Sequence, residues 1–422
     1  MSELGTAQVI RANARNLPLA DNSVDLVVTS PPYFALRSYQ DGGEHYAGQI
    51  GDEPTPAEFV AALLEVTAEC VRVLKPSGSL WVNLGDKYVS DNRGSGYSEK
   101  RKESKWAPPG DRGYVGRDVA PRKSLIGIPW RYALRCIDDL GLILRAEVIW
   151  SKPNGLPESV TDRVRRSHEQ WFHFTLSPRY FSAVDEIREA HTGNAHSSGN
   201  GPSRQWIAAN GLANNHRSLA TDPKDYNPLG KLPGSVWTVP TEPLRVPDHL
   251  GIDHFAAFPT EWPKRIIQGW SPAGVCVECG EGRRPVADAD RSGVDYTLSE
   301  LRATERVDAT AGAVTGGTKR STLGHQTTRT ITGYACACPE PTAPTRPSVI
   351  LDPFGGTGTT AMVAKALGRH GISVDMSADY CRLAQWRTND RDQLAKVLGI
   401  AKAEQQPDDQ LSMLDLLDGG AA

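Results

Sequence analysis

Apolar and polar positions along the chain fall into short runs of two kinds, and the two kinds alternate. Val9-Ile10, a polar stretch to Asn22, and then Val24 to Thr29 read as strand, turn, strand, the second strand running into a Pro31-Pro32 break. Ala57 to Leu74 places Phe59, Val60, Leu63, Leu64, Val66 and Val71 at helical spacing and ends at Lys75-Pro76-Ser77-Gly78, a stop signal. Ser79 to Leu84 alternates like a strand. Ile128 to Leu140 predicts a second amphipathic helix, followed by a strand over Leu142 to Trp150. A last strand-helix-strand unit is expected over Val349 to Asp352, Thr359 to Leu367 and Gly371 to Asp375. Strands alternating with helices argue an α/β fold, doubly wound around a mostly parallel sheet.

Three stretches break this rhythm. Ser90 to Lys123 carries nine Lys/Arg against five Asp/Glu, with Tyr97, Trp106 and Tyr114 interleaved. Ala190 to Gly234 is rich in Asn, Gly, Ser and Pro, and Cys276 to Cys338 is a third insertion. Loops this long inside a compact domain are usually functional or disordered. No internal repeat is visible.

Composition narrows the setting more than the function. A chain of 422 residues holds one large domain with insertions, or two to three smaller ones. A formal charge of −3 gives no global signature for a polyanion, so any nucleic-acid surface must be a local patch. No apolar run approaches a membrane span, and Met1 to Gly5 lacks a signal peptide's basic-then-apolar start; a cytoplasmic protein is expected. Of seven cysteines, Cys70, Cys136 and Cys381 sit in apolar or helix-like contexts and read as buried thiols. The other four, Cys276, Cys279, Cys336 and Cys338, form two close pairs 56 residues apart, a natural tetrahedral thiolate set for structural zinc. Two unrelated pairs of free thiols are the alternative.

Two motifs carry chemistry. Thr29-Ser30-Pro31-Pro32-Tyr33 ends a strand, and the stiff Pro-Pro turn would hold the Ser30 hydroxyl and Pro31 carbonyl as acceptors, with Tyr33 as a flat stacking face. That set suits a flat base bearing an exocyclic amine, whose delocalised lone pair must be pushed toward tetrahedral geometry before it can attack an electrophile. Val349 to Thr360 is a glycine-rich strand-to-helix turn after an acidic residue. Its Asp-Pro-Phe-x-Gly-x-Gly-Thr pattern differs from the Gly-x-Gly-x-x-Gly of plain nucleotide sites.

In this order the two motifs resemble those of the permuted (beta-type) DNA amino-methyltransferases, which act on cytosine N4 or adenine N6. Arg72 to Trp81, Gly85-Asp86, Trp150 to Asn154, Arg165 to Glu169 and His254 to Pro259 add to the resemblance, which covers most of residues 8 to 175 and 235 to 390. It implies an S-adenosylmethionine-dependent methyltransferase fold with a seven-stranded sheet, and a double-stranded DNA substrate whose target base is flipped out. Ser30, Pro31, Pro32 and Tyr33 would serve the base. Asn13, Asp352, Phe354, Gly356, Gly358, Thr359 and Asp375 would serve the cofactor, Asp352 on its ammonium, Asp375 on its ribose and Asn13 on its adenine amine. A serine at position 30 leans toward cytosine N4 over adenine N6, since relatives acting on adenine more often carry Asp or Asn there. The implied organisation is a target-base half over 1–189 with a basic loop at 90–123, and an insertion at 190–234 suited to target recognition. A cofactor half over 235–275 and 339–395, a zinc knuckle at 276–338 and a flexible tail at 396–422 complete it. A cognate restriction endonuclease is a natural partner for such an enzyme. In the tail, Gln410 to Leu414 resembles short peptides that dock on the bacterial sliding clamp; an amphipathic last turn packing on its own domain is the plainer alternative. A zinc-bearing DNA-binding protein on a relic fold is the non-enzymatic alternative to the whole reading.

Overall fold

Val24–Thr29 is buried along its whole length, as a central strand of a mostly parallel sheet must be when helices cover both faces. The computed structural model describes residues 4–35, 40–41, 44–45, 48–89, 120–155, 157–190, 229–252, 257–290, 328–338 and 343–400. These divide into two compact units: Met1–Tyr180, Val236–Ile267 and Pro347–Ala422 form the first, and Phe181–Ser235 with Gln268–Arg346 the second.

The first unit is built on an eight-stranded sheet. In chain order its strands are β1 (Thr6–Arg11), β2 (Val24–Thr29), β3 (Leu74–Leu84), β4 (Ile143–Ser151), β5 (His168–Thr175), β6 (Val236–Thr238), β7 (Val349–Asp352) and β8 (His370–Asp375). Their spatial order is β1-β8-β7-β2-β3-β5-β4-β6. All neighbours are parallel except β5, which runs against both β3 and β4. The sheet thus has one strand more than expected, because the three residues of β6 add beside β4. Helix α1 (Pro56–Val73) starts with a capping box between Thr55 and Glu58 and a proline in its first turn, and crosses from β2 to β3. Pro76 blocks its continuation, and the chain enters β3 directly at Leu74. Helices α2 (Ile128–Asp138), α3 (Glu261–Trp270), α4 (Thr359–Ala366), α5 (Ala378–Asn389) and α6 (Arg391–Leu398) follow in chain order. The last ends in a left-handed Gly399, so 396–398 belong to the fold and not to the expected tail.

From β7 the chain crosses to β8 on one side, and from β2 it crosses to β3 on the other. Strands β7 and β2 are neighbours, pairing Ile350 with Leu26 and Leu351 with Val27. Crossovers that diverge from adjacent parallel strands open a crevice at their carboxyl ends, where α/β sheets bind ligands. Asp25 secures this junction from below, accepting from Val349 N at 2.8 Å and pairing with Lys75 at 2.5 Å.

The second unit contains the described ends of both expected insertions, 190–234 and 276–338. Its main feature is an antiparallel ribbon of Arg284–Asp290 against Thr328–Ala335, and a short pair joins Val275–Cys276 to Thr345–Arg346. Among the described residues no helix is long and apolar enough to cross a membrane.

Candidate active site

The carboxyl ends of β2 and β7 are tied together by one buried carboxylate. Asp352 Oδ1 accepts from the Thr29 hydroxyl at 2.7 Å and from Phe354 N at 3.1 Å, while Oδ2 accepts from the Thr360 hydroxyl at 2.9 Å. Thr360 also reaches Val28 O at 3.2 Å. Only 1% of Asp352 is exposed, and burial pushes its carboxyl up to about 6. The carboxylate expected from sequence to serve a ligand ammonium accepts from the protein at both oxygens, where it bolts the two motifs together.

From Thr29 the chain turns through Ser30-Pro31-Pro32-Tyr33, and all four of these residues line a cleft of about 860 Å³ in the first unit. Asn83, fully buried on β3, organises the turn. Its Oδ1 accepts from the Ser30 hydroxyl at 3.2 Å and the Tyr33 hydroxyl at 2.8 Å, and its Nδ2 donates to Gln170 O at 3.1 Å, which fixes the amide's orientation. Because Ser30 gives its proton to Asn83, its lone pairs are left to accept. The Tyr33 hydroxyl also lies 2.7 Å from Glu169 Oε2, and Glu169 is ion-paired with Lys152. Gly85 makes room for the Tyr33 ring, since a Cβ there would stand 2.6 Å from Cε2. Lys152 is held in the cleft wall between Glu169 and the Trp150 ring, 4.0 Å from its centroid. His168 and Arg166 line the same cleft.

On the β7 side, Pro353, Phe354, Gly355, Thr357 and Thr359 line the cleft, with Asp375 at the end of β8. Asp375 Oδ2 accepts from Gly356 N and Oδ1 from Ser377 N, each at 2.9 Å, which fixes the carboxylate. Gly356 and Gly358 were expected to let the backbone approach a ligand. Both adopt positive φ (48° and 75°), and a Cβ at 358 would meet Ala384 Cβ at 2.9 Å. Asn13 stands in the cleft wall beyond β1, its Oδ1 accepting from Arg15 N at 3.0 Å. The structure thus brings Ser30, Pro31, Pro32, Tyr33, Asn13, Phe354, Thr359 and Asp375 to one cleft. It adds Asn83, which no local motif marked, and gives Glu169, the last residue of the Arg165–Glu169 segment, a partner in Tyr33.

In the second unit the sulfurs of Cys276, Cys279, Cys336 and Cys338 lie within 4.8 Å of one another, and none is in a disulfide. Backbone N–H groups of Cys279 and Glu278 on the Cys276 sulfur pull that thiol down to about 6, favouring a thiolate. Four thiols converging from two close pairs fit a closed tetrahedral metal site. Residues 90–119 of the expected basic loop, most of the 190–234 stretch (191–228), and residues 253–256, 291–327 and 401–422 lie outside the described residues.

A family model described as DNA methylase matches residues 24–277 and 343–386. The matched segments leave out 278–342, which carries three of the four clustered cysteines. Over 186 residues the chain is 43% identical to the Type II methyltransferase M.XycI of Xanthomonas campestris pv. cyanopsidis, covering 42% of this chain and 56% of that one. The chain thus spans little more than half the length of that relative. Over 391 residues it is 28% identical to the Type II methyltransferase M.SmaI of Serratia marcescens, covering 92% of each. Among solved structures, the PvuII DNA methyltransferase (cytosine-N4-specific) aligns over 94% of this chain and 92% of its own, with 16% identity and a TM-score of 0.49.

Proposed function

Since the chain belongs to the DNA methylase family of N6/N4 amino-methyltransferases, we propose that it methylates the exocyclic amine of a base flipped out of double-stranded DNA. Cytosine N4 is the favoured target and adenine N6 the alternative. The observation that carries this reading is the single cleft at the β2/β7 switch point, where the Ser30–Tyr33 turn and the Phe354–Thr359 loop stand side by side. S-adenosylmethionine, when bound, would supply an electrophilic methyl group. The cleft is of a size that suits such a ligand, and Asp375, at the end of β8 in the cleft wall, is a carboxylate placed to accept from its ribose hydroxyls. Phe354 supplies an apolar wall.

Ser30, its proton committed to Asn83, accepts from the target amine, and the Pro31 carbonyl is the second acceptor. Drawing on both amine protons localises the nitrogen lone pair for attack. The Tyr33 ring, anchored at its hydroxyl and backed by Gly85, is positioned before the base arrives, so little ordering is needed at each turnover. A serine at position 30 supports cytosine over adenine.

Zinc held by Cys276, Cys279, Cys336 and Cys338 would close the base of the Arg284–Asp290/Thr328–Ala335 ribbon and take no part in methyl transfer. A restriction endonuclease of matching specificity is the proposed partner; DNA modified by this enzyme should then resist that nuclease. Docking of Gln410–Leu414 on a sliding clamp is tested with a peptide of residues 406–420, and no binding at high micromolar concentration would remove it. The decisive experiment is expression in a methylation-free host with single-molecule sequencing of its DNA. N4-methylcytosine in one short motif is the expected result, N6-methyladenine would correct the base, and unmodified DNA would overturn the reading.

A further inference from the structure

Arg387 on α5 is 3% exposed, yet no carboxylate pairs with it among the described residues. Its Nη1 donates to Thr357 Oγ1 at 2.8 Å and to Thr359 Oγ1 at 2.6 Å, and its Nε is buried with no partner among the described residues. A guanidinium withdrawn from water is normally matched by an anion. Here it meets two neutral hydroxyls, and burial pushes it down to about 10. The nearby Glu242 carboxylate is already engaged by Lys396 at 2.5 Å and by the Thr260 hydroxyl and amide.

The two threonines pass this charge on. Each oxygen accepts from Arg387, so each hydroxyl has its own proton to give. The two oxygens are 3.2 Å apart, so one proton can be spent between them and the other is left for an outside acceptor. Both residues line the cleft. Along the strand ends the order is β8, β7, β2, which sets out Asp375, the Thr357–Thr359 loop and Ser30 in sequence. A cofactor with its ribose at Asp375 and its methyl group directed to Ser30 lays its amino-acid end over that loop.

We infer that Arg387 is the buried counter-charge for the carboxylate of the methionine part of S-adenosylmethionine, acting through the hydroxyls of Thr357 and Thr359. The inference rests on the proposed cofactor. It makes Arg387 a binding residue that never touches the ligand.

Calorimetric titration of the full chain with S-adenosylmethionine and with its decarboxylated analogue tests it, because the two differ only in the carboxylate. The wild type should prefer the carboxylate-bearing ligand at least tenfold. Arg387→Met should erase that preference by weakening S-adenosylmethionine about tenfold or more while leaving the analogue within twofold. Thr359→Val, which keeps the charge and cuts one link, should show a smaller loss of the same selectivity, and it carries the comparison should the methionine variant not fold. Equal losses for both ligands, or an unchanged preference, would overturn the role of Arg387. A wild type that binds neither ligand would instead sink the cofactor reading, and this inference with it.

Discussion

Replacing the buried bolt, Asp352→Asn, separates a structural carboxylate from a ligand contact. A carboxyl ordinarily near 3.8 and pushed up to about 6 by burial destabilises the native state by about 3 kcal/mol once it is ionised. The sign follows from the raised value: the native state holds the proton more tightly than the unfolded chain does. The stability attached to this group is full below about 3.8 and is lost as pH rises through about 6. An amide removes that titration and keeps the geometry. Its oxygen can still accept from Thr29 and Phe354 N, while its NH₂ faces Thr360, whose hydroxyl can turn its proton to Val28 O. Denaturant unfolding of wild type and variant at pH 5, 6, 7 and 8 gives the difference curve. The variant should gain on the wild type as pH rises, with about half of the 3 kcal/mol developed at pH 5 and nearly all of it by pH 7. S-adenosylmethionine affinity should stay within a few-fold. A flat difference curve would refute the buried ionisation, and a large loss of affinity would return Asp352 to the cofactor.

Ser30→Ala should lower turnover by about a hundredfold with cofactor affinity nearly unchanged, because the acceptor acts mainly in the transition state; single-turnover methylation near wild-type rates would count against the assigned chemistry. Asn83→Ala frees the Ser30 and Tyr33 hydroxyls at once, and should cut turnover roughly tenfold or more while destabilising the fold by about 1–3 kcal/mol. Kinetics and thermal melts on the same preparation separate the two effects. The purified chain should carry about one zinc, and Cys279→Ser and Cys338→Ser should each reduce it; elemental analysis showing unchanged metal in both would place the ligands elsewhere.

Local pattern was enough for the strands and helices that flank the two motifs. Val24–Thr29, Val349–Asp352, the helix from Thr359 and the strand ending at Asp375 all fall where periodicity and the Gly and Pro breaks put them, because those signals act within a few residues. Strand β5 escaped. His168–Thr175 mixes His, Glu and Gln with aromatics, and its burial comes from lying between β3 and β4. The three-residue β6 is likewise too short to mark itself.

The site divides in the same way. Ser30, Tyr33, Phe354 and Asp375 were legible because each sits in a motif whose turn geometry is local. Asn83 lies 50 residues from Tyr33 and Glu169 lies 136 residues from it; the parallel pairing of β3 with β2 and the antiparallel pairing of β5 with β3 together bring the two onto that phenol. Arg387 reads in sequence as one more helical cation, and packing of α5 behind the Thr357–Thr359 loop is what withdraws it from water. Asp352 was recognised as a residue of the site, but its bonds to Thr29, Thr360 and Phe354 N were not legible, because a sequence displays a carboxylate without its surroundings. Composition and periodicity thus determined the elements, the fold class and the two motifs. Which buried charge meets which donor was decided by tertiary packing alone, since hydrogen-bond partners and dielectric environment are set by neighbours in space.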